Sequence, residues 1–227
     1  MDLSSIPCEI ITGDFVTNLN YKVIIVGDAG VGKSCITSRI MKNTFEANYA
    51  PTVGFEYSNL FVRANDKIIK LSLWDTCGQE IYRSLVSSFY RNAAFAILVY
   101  SINSKESFDD LDGWLNDIRT SGSADVKMCL IGNKKDLEEN REVSYEEGKK
   151  FADEHEFIQF FETSAVTGEN VRDVFLQIGR ESYGLNVEEE RNEHRSDIVE
   201  NMRGYADFGR NEDKGSEGEK NRRNGCC

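Results

Sequence analysis

Several features that define other classes of protein are missing from this 227-residue sequence. It has two histidines, and its six cysteines form no Cys-x-x-Cys pair, so a zinc site is disfavoured. With a formal net charge of −12 it has no long basic stripe, which argues against a nucleic-acid-binding protein. The longest apolar run, residues 93–100, is too short to cross a bilayer. Residues 1–20 lack the basic and apolar regions of a signal peptide, so we expect a reduced, intracellular protein.

Short apolar segments alternate with amphipathic ones along most of the chain. Strands are predicted over residues 21–26, 55–63, 67–74, 94–100, 126–131 and 159–163. Helices are predicted over residues 33–42, 79–91, 105–120, 144–154 and 168–180, and the fourth begins with the capping-box spacing of Ser144 and Glu147. The pattern predicts an α/β fold with a six-stranded, mostly parallel sheet, one antiparallel edge strand and helices on both faces.

Composition divides the chain into three parts. Residues 1–19 are an N-terminal extension, and residues 20–183 form a single domain large enough for one hydrophobic core. From residue 184 onward, scattered charges and glycines surround single apolar residues, which cannot bury enough surface to offset the entropy of ordering. We therefore predict a disordered tail over residues 184–227, which ends in Cys226 and Cys227.

A phosphate-binding loop is predicted where the first strand meets the first helix. The segment Gly27-x-x-x-x-Gly32-Lys33-Ser34 has the spacing of a P-loop, whose backbone N–H groups surround phosphate oxygens at a helix N-terminus. Lys33 is expected to reach the β- and γ-phosphates, and Ser34 to bind Mg²⁺. A glycine-rich turn without a ligand is the alternative. The predicted nucleotide contacts in this segment are Asp28, Ala29, Gly30, Val31, Gly32, Lys33, Ser34 and Cys35.

A second segment, Asp75-Thr76-Cys77-Gly78-Gln79, follows a predicted central strand. Open α/β sheets bind their ligands at the carboxyl ends of such strands, so Asp75 is expected in the Mg²⁺ shell. The backbone N–H of Gly78 is expected to meet the γ-phosphate, and Gln79 to orient the attacking water as the catalytic residue. Alone, an aspartate before a glycine is more often a turn.

Two further segments point to guanine as the base. Asn133-Lys134-Lys135-Asp136 follows another apolar strand, and the Asp136 carboxylate can accept hydrogen bonds from guanine N1–H and its exocyclic amine. Adenine lacks that pair of donors and would leave the carboxylate unpaired. We expect Asn133 to tie this loop to the P-loop, and Lys134 to lie along the base. Ser164 and Ala165 belong to a segment that can bring a backbone N–H to guanine O6.

With these residues in place, the chain resembles a Rab-family small GTPase of the Ras superfamily. The resemblance covers residues 19–182 and the last two residues, and it is most specific over KLSLWDTCGQE at residues 70–80. It implies that Thr52 binds Mg²⁺ together with Ser34 and Asp75. It also implies that Phe45 packs against the base and Tyr49 covers the phosphates. The effector-facing aromatic triad would be Tyr57, Trp74 and Phe89.

Several positions depart from the usual family pattern, and residues 53–57 and 79–82 differ from the commonest Rab sequences. Cys77 replaces the usual alanine, and Val166, which we include among the base contacts, stands where a lysine usually follows Ser-Ala. No departure removes a predicted phosphate, Mg²⁺ or water-positioning group. The resemblance therefore implies a P-loop GTPase domain that cycles between GTP and GDP, hydrolyses GTP slowly, and regulates vesicle traffic.

Other readings of the same residues remain. A GTP-loaded membrane adaptor that barely hydrolyses its nucleotide is the main alternative, and the presence of Gln79 argues against it. An ATP-dependent P-loop kinase or motor is disfavoured by Asp136. The expected partners are an exchange factor, an activating protein, an effector, a prenylation escort and a GDP-dissociation inhibitor. We expect a monomer that binds no nucleic acid.

The C-terminal Cys226 and Cys227 resemble the double-prenylation site of Rab proteins, which carries geranylgeranyl lipid. They do not form a C-a-a-X box. Two lipid chains would anchor the protein stably, since one chain gives only marginal binding. This resemblance implies a location on the cytoplasmic face of an intracellular membrane, with a cytosolic pool.

Overall fold

A computed structural model of the chain describes residues 2–46, 52, 54–76 and 89–212, without the side chains of residues 193 and 196–212. Its seven strands form one sheet in the order β1-β3-β4-β2-β5-β6-β7. Strands β4, β2, β5, β6 and β7 run parallel, whereas β3 is antiparallel to both β4 and β1. The strands are β1 (Cys8–Ile11), β2 (Asn20–Val26), β3 (Phe55–Ala64), β4 (Lys67–Thr76), β5 (Phe95–Ser101), β6 (Lys127–Asn133) and β7 (Gln159–Glu162).

Helices follow the strands in the order that the sequence predicts. The Ser144–Glu147 capping box is present, and the predicted helix 105–120 is divided in two at Asp110. Of the predicted helix 79–91, residues 79–88 lie outside the described residues. The helices are α1 (Lys33–Lys42), α2 (Lys105–Asp109), α3 (Leu111–Ser121), α4 (Tyr145–Glu154) and α5 (Val171–Glu212), with 3-10 helices at Leu3–Ser5 and Lys135–Asn140.

Both faces of the central strands are covered. In β2, Ile24 and Val26 belong to a buried cluster that includes Trp114 and Leu115 of α3. Side chains alternate between the two faces of a strand, so Val23 and Ile25, which are also fully buried, lie on the opposite face. The α/β fold with a mostly parallel, two-sided sheet is therefore confirmed.

The predicted six-stranded sheet with an antiparallel edge is wrong in one respect, because β1 adds a seventh strand beyond β3. Four backbone pairs join β1 to β3, from Cys8↔Ala64 to Ile11↔Phe61. The Asn65 N–H donates to the Pro7 carbonyl oxygen at 2.8 Å, and Ile6 is buried. β1 is short and has no regular alternation, so its own sequence gives no strand signal. Its conformation depends on tertiary partners, which are the open edge of β3 and Arg180 of α5, whose Nε donates to the Ile6 carbonyl oxygen at 3.1 Å.

Helix α5 is longer than the sequence predicts. The pattern predicts a helix that ends at residue 180 and a disordered tail from residue 184, whereas the structure continues the helix to Glu212. Residues 184–212 contain no proline and many glutamates and arginines, which favour helix locally even where no face can be buried. By its contacts the chain divides into two units, Met1–Tyr183 and Gly184–Cys227. In the described part of the chain, no helix is both long and apolar enough to cross a membrane.

An ion pair fixes the end of β7 that leads into the predicted base-binding segment. Arg141 donates two hydrogen bonds to the Glu162 carboxylate, at 2.6 and 2.9 Å, and Glu162 is buried. The same guanidinium also binds the exposed carboxylate of Glu138. These hydrogen bonds raise the pKa of Arg141 above its usual value. Removing one member of a buried pair leaves the other charge without compensation.

We predict that Arg141→Met lowers the free energy of unfolding by about 3 kcal/mol, because Glu162 is left buried and unpaired. Glu138→Gln removes the exposed partner of the same guanidinium and should cost about 0–1 kcal/mol. Urea denaturation of the two variants and the wild type at one pH measures both values. An equal decrease in the free energy of unfolding of both variants would contradict the conclusion that the buried ion pair with Glu162 contributes more stability than the exposed one with Glu138.

Candidate functional site

The predicted site residues gather at the carboxyl edge of the parallel strands. Asp75 lies near the end of β4, Asn133 ends β6, and the predicted P-loop follows β2. The segment that begins at Thr163 follows β7. Because β2, β4, β6 and β7 run parallel, these four segments meet at one edge, where α/β sheets bind ligands.

The P-loop between β2 and α1 closes tightly around its own lysine. Lys33 is buried, and its ammonium donates to the carbonyl oxygens of Gly27 and Asp28, both at 2.7 Å. Gly32 begins α1 with a left-handed φ of 101°. A Cβ atom on Gly32 would lie 2.3 Å from Asn133 Nδ2, so the loop has no room for a side chain there. Of the remaining loop residues, Val31 is buried, and Ala29 and Gly30 are exposed.

Three of the predicted Mg²⁺ ligands provide oxygen atoms suited to this ion. The hydroxyls of Ser34 and Thr52 are 2.8 Å apart. Asp75 is fully buried, and within the part of the chain that the structure describes neither of its carboxylate oxygens accepts a hydrogen bond of normal geometry. Burial raises the pKa of Asp75 to about 6, against the opposing effects of the Ser34 hydroxyl and the Lys33 ammonium.

This donor set fits Mg²⁺. The ion binds oxygen ligands octahedrally at about 2.0–2.1 Å, so neighbouring ligands lie about 3 Å apart. The observed separation of the Ser34 and Thr52 hydroxyls is close to that spacing. A buried carboxylate without a partner is costly unless a cation or donor compensates it, so the Asp75 oxygens also suit a bound cation. Next to Ser34, Cys35 is half-buried, and burial raises the pKa of its thiol.

Asn133 joins the P-loop to the base-binding segments, as the sequence predicts. Its Nδ2 donates to the Val31 carbonyl oxygen at 2.8 Å. Its Oδ1 accepts from the Thr163 hydroxyl at 3.1 Å and from the Ala165 N–H at 3.3 Å. One buried amide therefore connects segments that follow β2, β6 and β7.

Asp136 and Ser164 lie together on the same side of the site. The Ser164 hydroxyl donates to Asp136 Oδ1 at 2.6 Å and accepts from the Thr167 N–H at 3.0 Å. Asp136 is exposed, and a carboxylate has about four acceptor positions, so this contact leaves others open to a ligand. Lys134 precedes the 3-10 helix in a left-handed conformation, with φ 68°.

The sequence analysis missed two side chains that hold the site. Trp114 of α3 donates from Nε1 to Asp28 Oδ1 at 2.7 Å, so the Asp28 side chain binds α3. Burial raises the pKa of Asp28, and the Trp114 hydrogen bond opposes that shift. Arg39 of α1 donates to the carbonyl oxygens of Ala165 and Val166, at 2.8 and 2.7 Å. The partners of both residues lie far away in sequence, and no local pattern indicates these contacts.

An aromatic cluster lies on the β3–β4 hairpin. Trp74 contacts Tyr57 and Phe89, with ring centroids 5.3 and 5.6 Å apart, so the three predicted triad members lie together. Phe55, which we did not predict, stacks on Trp74 at 5.0 Å and contacts Phe89 at 4.6 Å. Tyr57 and Phe55 are exposed, at 49% and 42%, so the cluster is partly a surface.

Some predicted site residues are not assembled by the described part of the chain. Phe45, predicted to pack against the base, is exposed. Val166 is also exposed, and only its backbone carbonyl takes part in the contact with Arg39. Tyr49, Gly78, Gln79, Cys226 and Cys227 lie outside the described residues.

Known proteins resemble this chain in sequence. The sequence model of the Ras family matches residues 22–183. Ras-related protein Rab-4B of Homo sapiens is 45% identical over 160 residues, which are 70% of this chain and 75% of that protein. Ras-related protein Rab-4A is 43% identical over 160 residues in both Homo sapiens and Danio rerio; these cover 70% of this chain, and 73% and 75% of those proteins. The chain therefore belongs to the Ras family, and it is a small GTPase of the Rab family.

Proposed function

We propose that this GTPase is a molecular switch that regulates intracellular vesicle traffic, and that the residues gathered at the carboxyl edge of the sheet bind its nucleotide. As a Rab-family small GTPase it binds GTP and GDP with Mg²⁺. The observation that carries the assignment of residues is the fully buried Asp75 carboxylate, to which no donor of the described residues makes a hydrogen bond of normal geometry, beside the paired hydroxyls of Ser34 and Thr52.

On the phosphate side, this chain supplies one cation and a ring of backbone donors. Lys33 would exchange its contacts with the Gly27 and Asp28 carbonyl oxygens for phosphate oxygens, with no need for the P-loop to open. Ser34, Thr52 and Asp75 would hold Mg²⁺, directly or through water. When bound, this ion supplies positive charge to the β- and γ-phosphate oxygens.

On the base side, Asp136 would select guanine. Ser164 already fixes one carboxylate oxygen, so the carboxylate has a defined orientation before the base arrives. It would then accept from guanine N1–H and the exocyclic amine. Ala165 would donate its backbone N–H to O6, while Asn133 keeps the base loops attached to the P-loop.

The switch would operate through two segments that contact the γ-phosphate. Thr52 would be held in place by Mg²⁺ while the γ-phosphate is present, and the Gly78 N–H would donate a hydrogen bond to the γ-phosphate directly. Gln79 would orient the attacking water, and intrinsic hydrolysis would be slow until an activating protein adds a positive charge in trans. Hydrolysis would release both segments and the effector surface.

A GTP-loaded membrane adaptor with little hydrolysis is the second candidate. The partly exposed aromatic cluster of Phe55, Tyr57, Trp74 and Phe89 suits an effector surface in either case. Gln79 favours the hydrolysing switch, because it has no role in an adaptor that keeps its GTP. Single-turnover phosphate release from GTP-loaded protein separates the two.

Membrane attachment would come from the C-terminus. We propose that geranylgeranyl lipid on Cys226 and Cys227 anchors the protein to the cytoplasmic face of an intracellular membrane, with a cytosolic pool kept by a GDP-dissociation inhibitor. A prenylation escort would present the tail for modification, and an exchange factor would load GTP. The sequence resemblance at residues 226–227 supports this anchor.

The base specificity is testable by Asp136→Asn. The affinity of the variant for GDP should fall by at least about tenfold. Its affinity for xanthosine diphosphate should rise, because an amide can donate to the carbonyl that xanthine carries in place of the amine. Competition against a fluorescent GDP measures both affinities. Asp125→Asn, an exposed aspartate on a loop, is the matched control. An Asp136→Asn protein that still prefers guanine would remove Asp136 as the base-reading residue.

Two variants separate water positioning from metal binding. Gln79→Leu should slow single-turnover hydrolysis by about tenfold or more with GTP affinity unchanged, since the proposed role of Gln79 is limited to the attacking water. Ser34→Asn should weaken Mg²⁺ binding and favour GDP-bound or nucleotide-free protein. Phosphate release and nucleotide content measure the two effects, with Gln159→Leu, at the exposed first position of β7, as the control. Identical behaviour of both variants and the wild type would contradict the assigned roles.

The lipid anchor is testable by Cys226→Ser combined with Cys227→Ser. This variant should no longer pellet with membranes from cells that prenylate it, while its GTP binding and hydrolysis stay at wild-type rates. Each single variant should give weak, exchanging attachment, because one lipid chain binds only marginally. Fractionation and a hydrolysis assay on the same preparations measure both. Undiminished pelleting of the double variant would rule out this anchor.

A further inference from the structure

We propose that Arg39 is a positioning residue for base recognition, which orients the backbone N–H of Val166 toward the O6 carbonyl of guanine. This inference deepens the proposed function, because it rests on the guanine site described above. It concerns a residue that lies in none of the nucleotide-binding motifs.

Arg39 binds the base loop directly and from one side. Its Nε donates to the Ala165 carbonyl oxygen at 2.8 Å, and a terminal nitrogen donates to the Val166 carbonyl oxygen at 2.7 Å. The planar guanidinium presents these donors in a fixed fork, so it fixes two successive carbonyl groups in one orientation. Among the described residues Arg39 makes no ion pair, and its guanidinium donates to Asn43 at the end of α1 and to the base loop.

The same guanidinium is anchored to the end of α1. Its other terminal nitrogen donates to the backbone oxygen of Asn43 at 3.0 Å and to Asn43 Oδ1 at 3.3 Å. Asn43 caps the helix, and its N–H donates to the Arg39 carbonyl oxygen. α1 begins with Lys33 and Ser34, so one rigid helix carries the phosphate- and Mg²⁺-binding side chains at its start and Arg39 near its end.

Fixing a carbonyl also fixes the neighbouring N–H. In a trans peptide the C=O and N–H groups point in opposite directions, so the contact with the Ala165 carbonyl sets the direction of the Val166 N–H. The Ala165 N–H itself faces Asn133 Oδ1 at 3.3 Å. Arg39 and Asn133 therefore hold the two consecutive peptide groups of Ala165, Asn133 through its N–H and Arg39 through its carbonyl oxygen.

Two independent contacts fix this loop, and they serve different atoms of the base. Ser164 holds Asp136, which would read N1–H and the amine. Arg39 holds the backbone at 165–166, which would read O6. The Val166 side chain is exposed and apolar, so it provides no polar contact of its own to hold this part of the loop. Loss of Arg39 should therefore affect recognition of O6 and leave the Asp136 contacts in place.

The test compares three nucleotides on the full-length protein with Mg²⁺ present. GDP has all the recognised groups, inosine diphosphate lacks the amine but keeps O6, and 6-thioguanosine diphosphate keeps N1–H and the amine but replaces O6 by sulfur, a weak acceptor. Arg39→Met should lower the affinities for GDP and for inosine diphosphate by the same factor, roughly tenfold. It should lower the affinity for 6-thioguanosine diphosphate by no more than about threefold, because the sulfur at position 6 accepts only a weak hydrogen bond from the backbone N–H.

Two further variants make the result specific. Lys42→Met removes an exposed positive charge from the same helix and should change none of the three affinities. Arg39→Lys keeps charge and length but has one ammonium for two carbonyls, so its affinities should lie between those of the wild type and Arg39→Met. Arg39→Lys also provides the comparison if Arg39→Met does not fold, as judged by thermal unfolding.

The outcomes are distinct. If the Arg39 variants lower the affinity for all three nucleotides by one factor, or change none of these affinities, Arg39 does not orient the N–H that contacts O6. The proposed guanine site would still stand in that case. If the wild-type protein itself does not bind GDP, the proposed site is wrong. A selective loss for the two O6-containing nucleotides supports the inference.

Discussion

The site depends on one buried amide. Asn133 joins the P-loop to the segment after β7, because its nitrogen binds Val31 and its oxygen binds Thr163 and Ala165. The phosphate-binding and base-binding groups lie in different loops, and without a cross-link each loop would have its own conformational freedom. The amide has one donor side and one acceptor side, which a carboxylate or an aliphatic side chain of similar size could not offer. Gly32 leaves the space that this approach requires.

Near this amide the structure buries two opposite charges, the Lys33 ammonium and the Asp75 carboxylate, and the two differ in their hydrogen-bond partners. Lys33 has two carbonyl oxygens as acceptors within its own loop. Among the described residues no donor makes a hydrogen bond of normal geometry to the Asp75 carboxylate, and burial raises its pKa to about 6. A site with a satisfied cation and an unsatisfied carboxylate suits a ligand that brings both anionic phosphates and a metal cation. Folding thus leaves a cost at Asp75 that ligand binding can remove.

The sequence was sufficient for most of the parallel sheet, because its strands are continuous apolar runs with motifs directly after them. The contact of Asn133 with the P-loop was predicted for the same reason. β1 was not predicted, since a four-residue strand forms only where another strand leaves an edge open. The full length of α5 was not predicted either, because a helix without an apolar face gives no periodic signal. Arg39 and Trp114 were missed because their partners lie far away in sequence and only the folded chain brings them together.

The N-terminal strand limits how the β3–β4 hairpin can move. β1 pairs only with residues 61–64 of β3, at the end of the hairpin far from the site. Residues 55–60 have no such partner in the described structure, and this end of the hairpin carries the aromatic cluster and leads to Thr52. One end of the hairpin therefore pairs with a third strand, whereas residues 55–60 pair only with β4 among the described strands and contact Phe89 through Phe55. A change at Thr52 would then be confined to the near end, where the exposed aromatic side chains of Phe55 and Tyr57 lie.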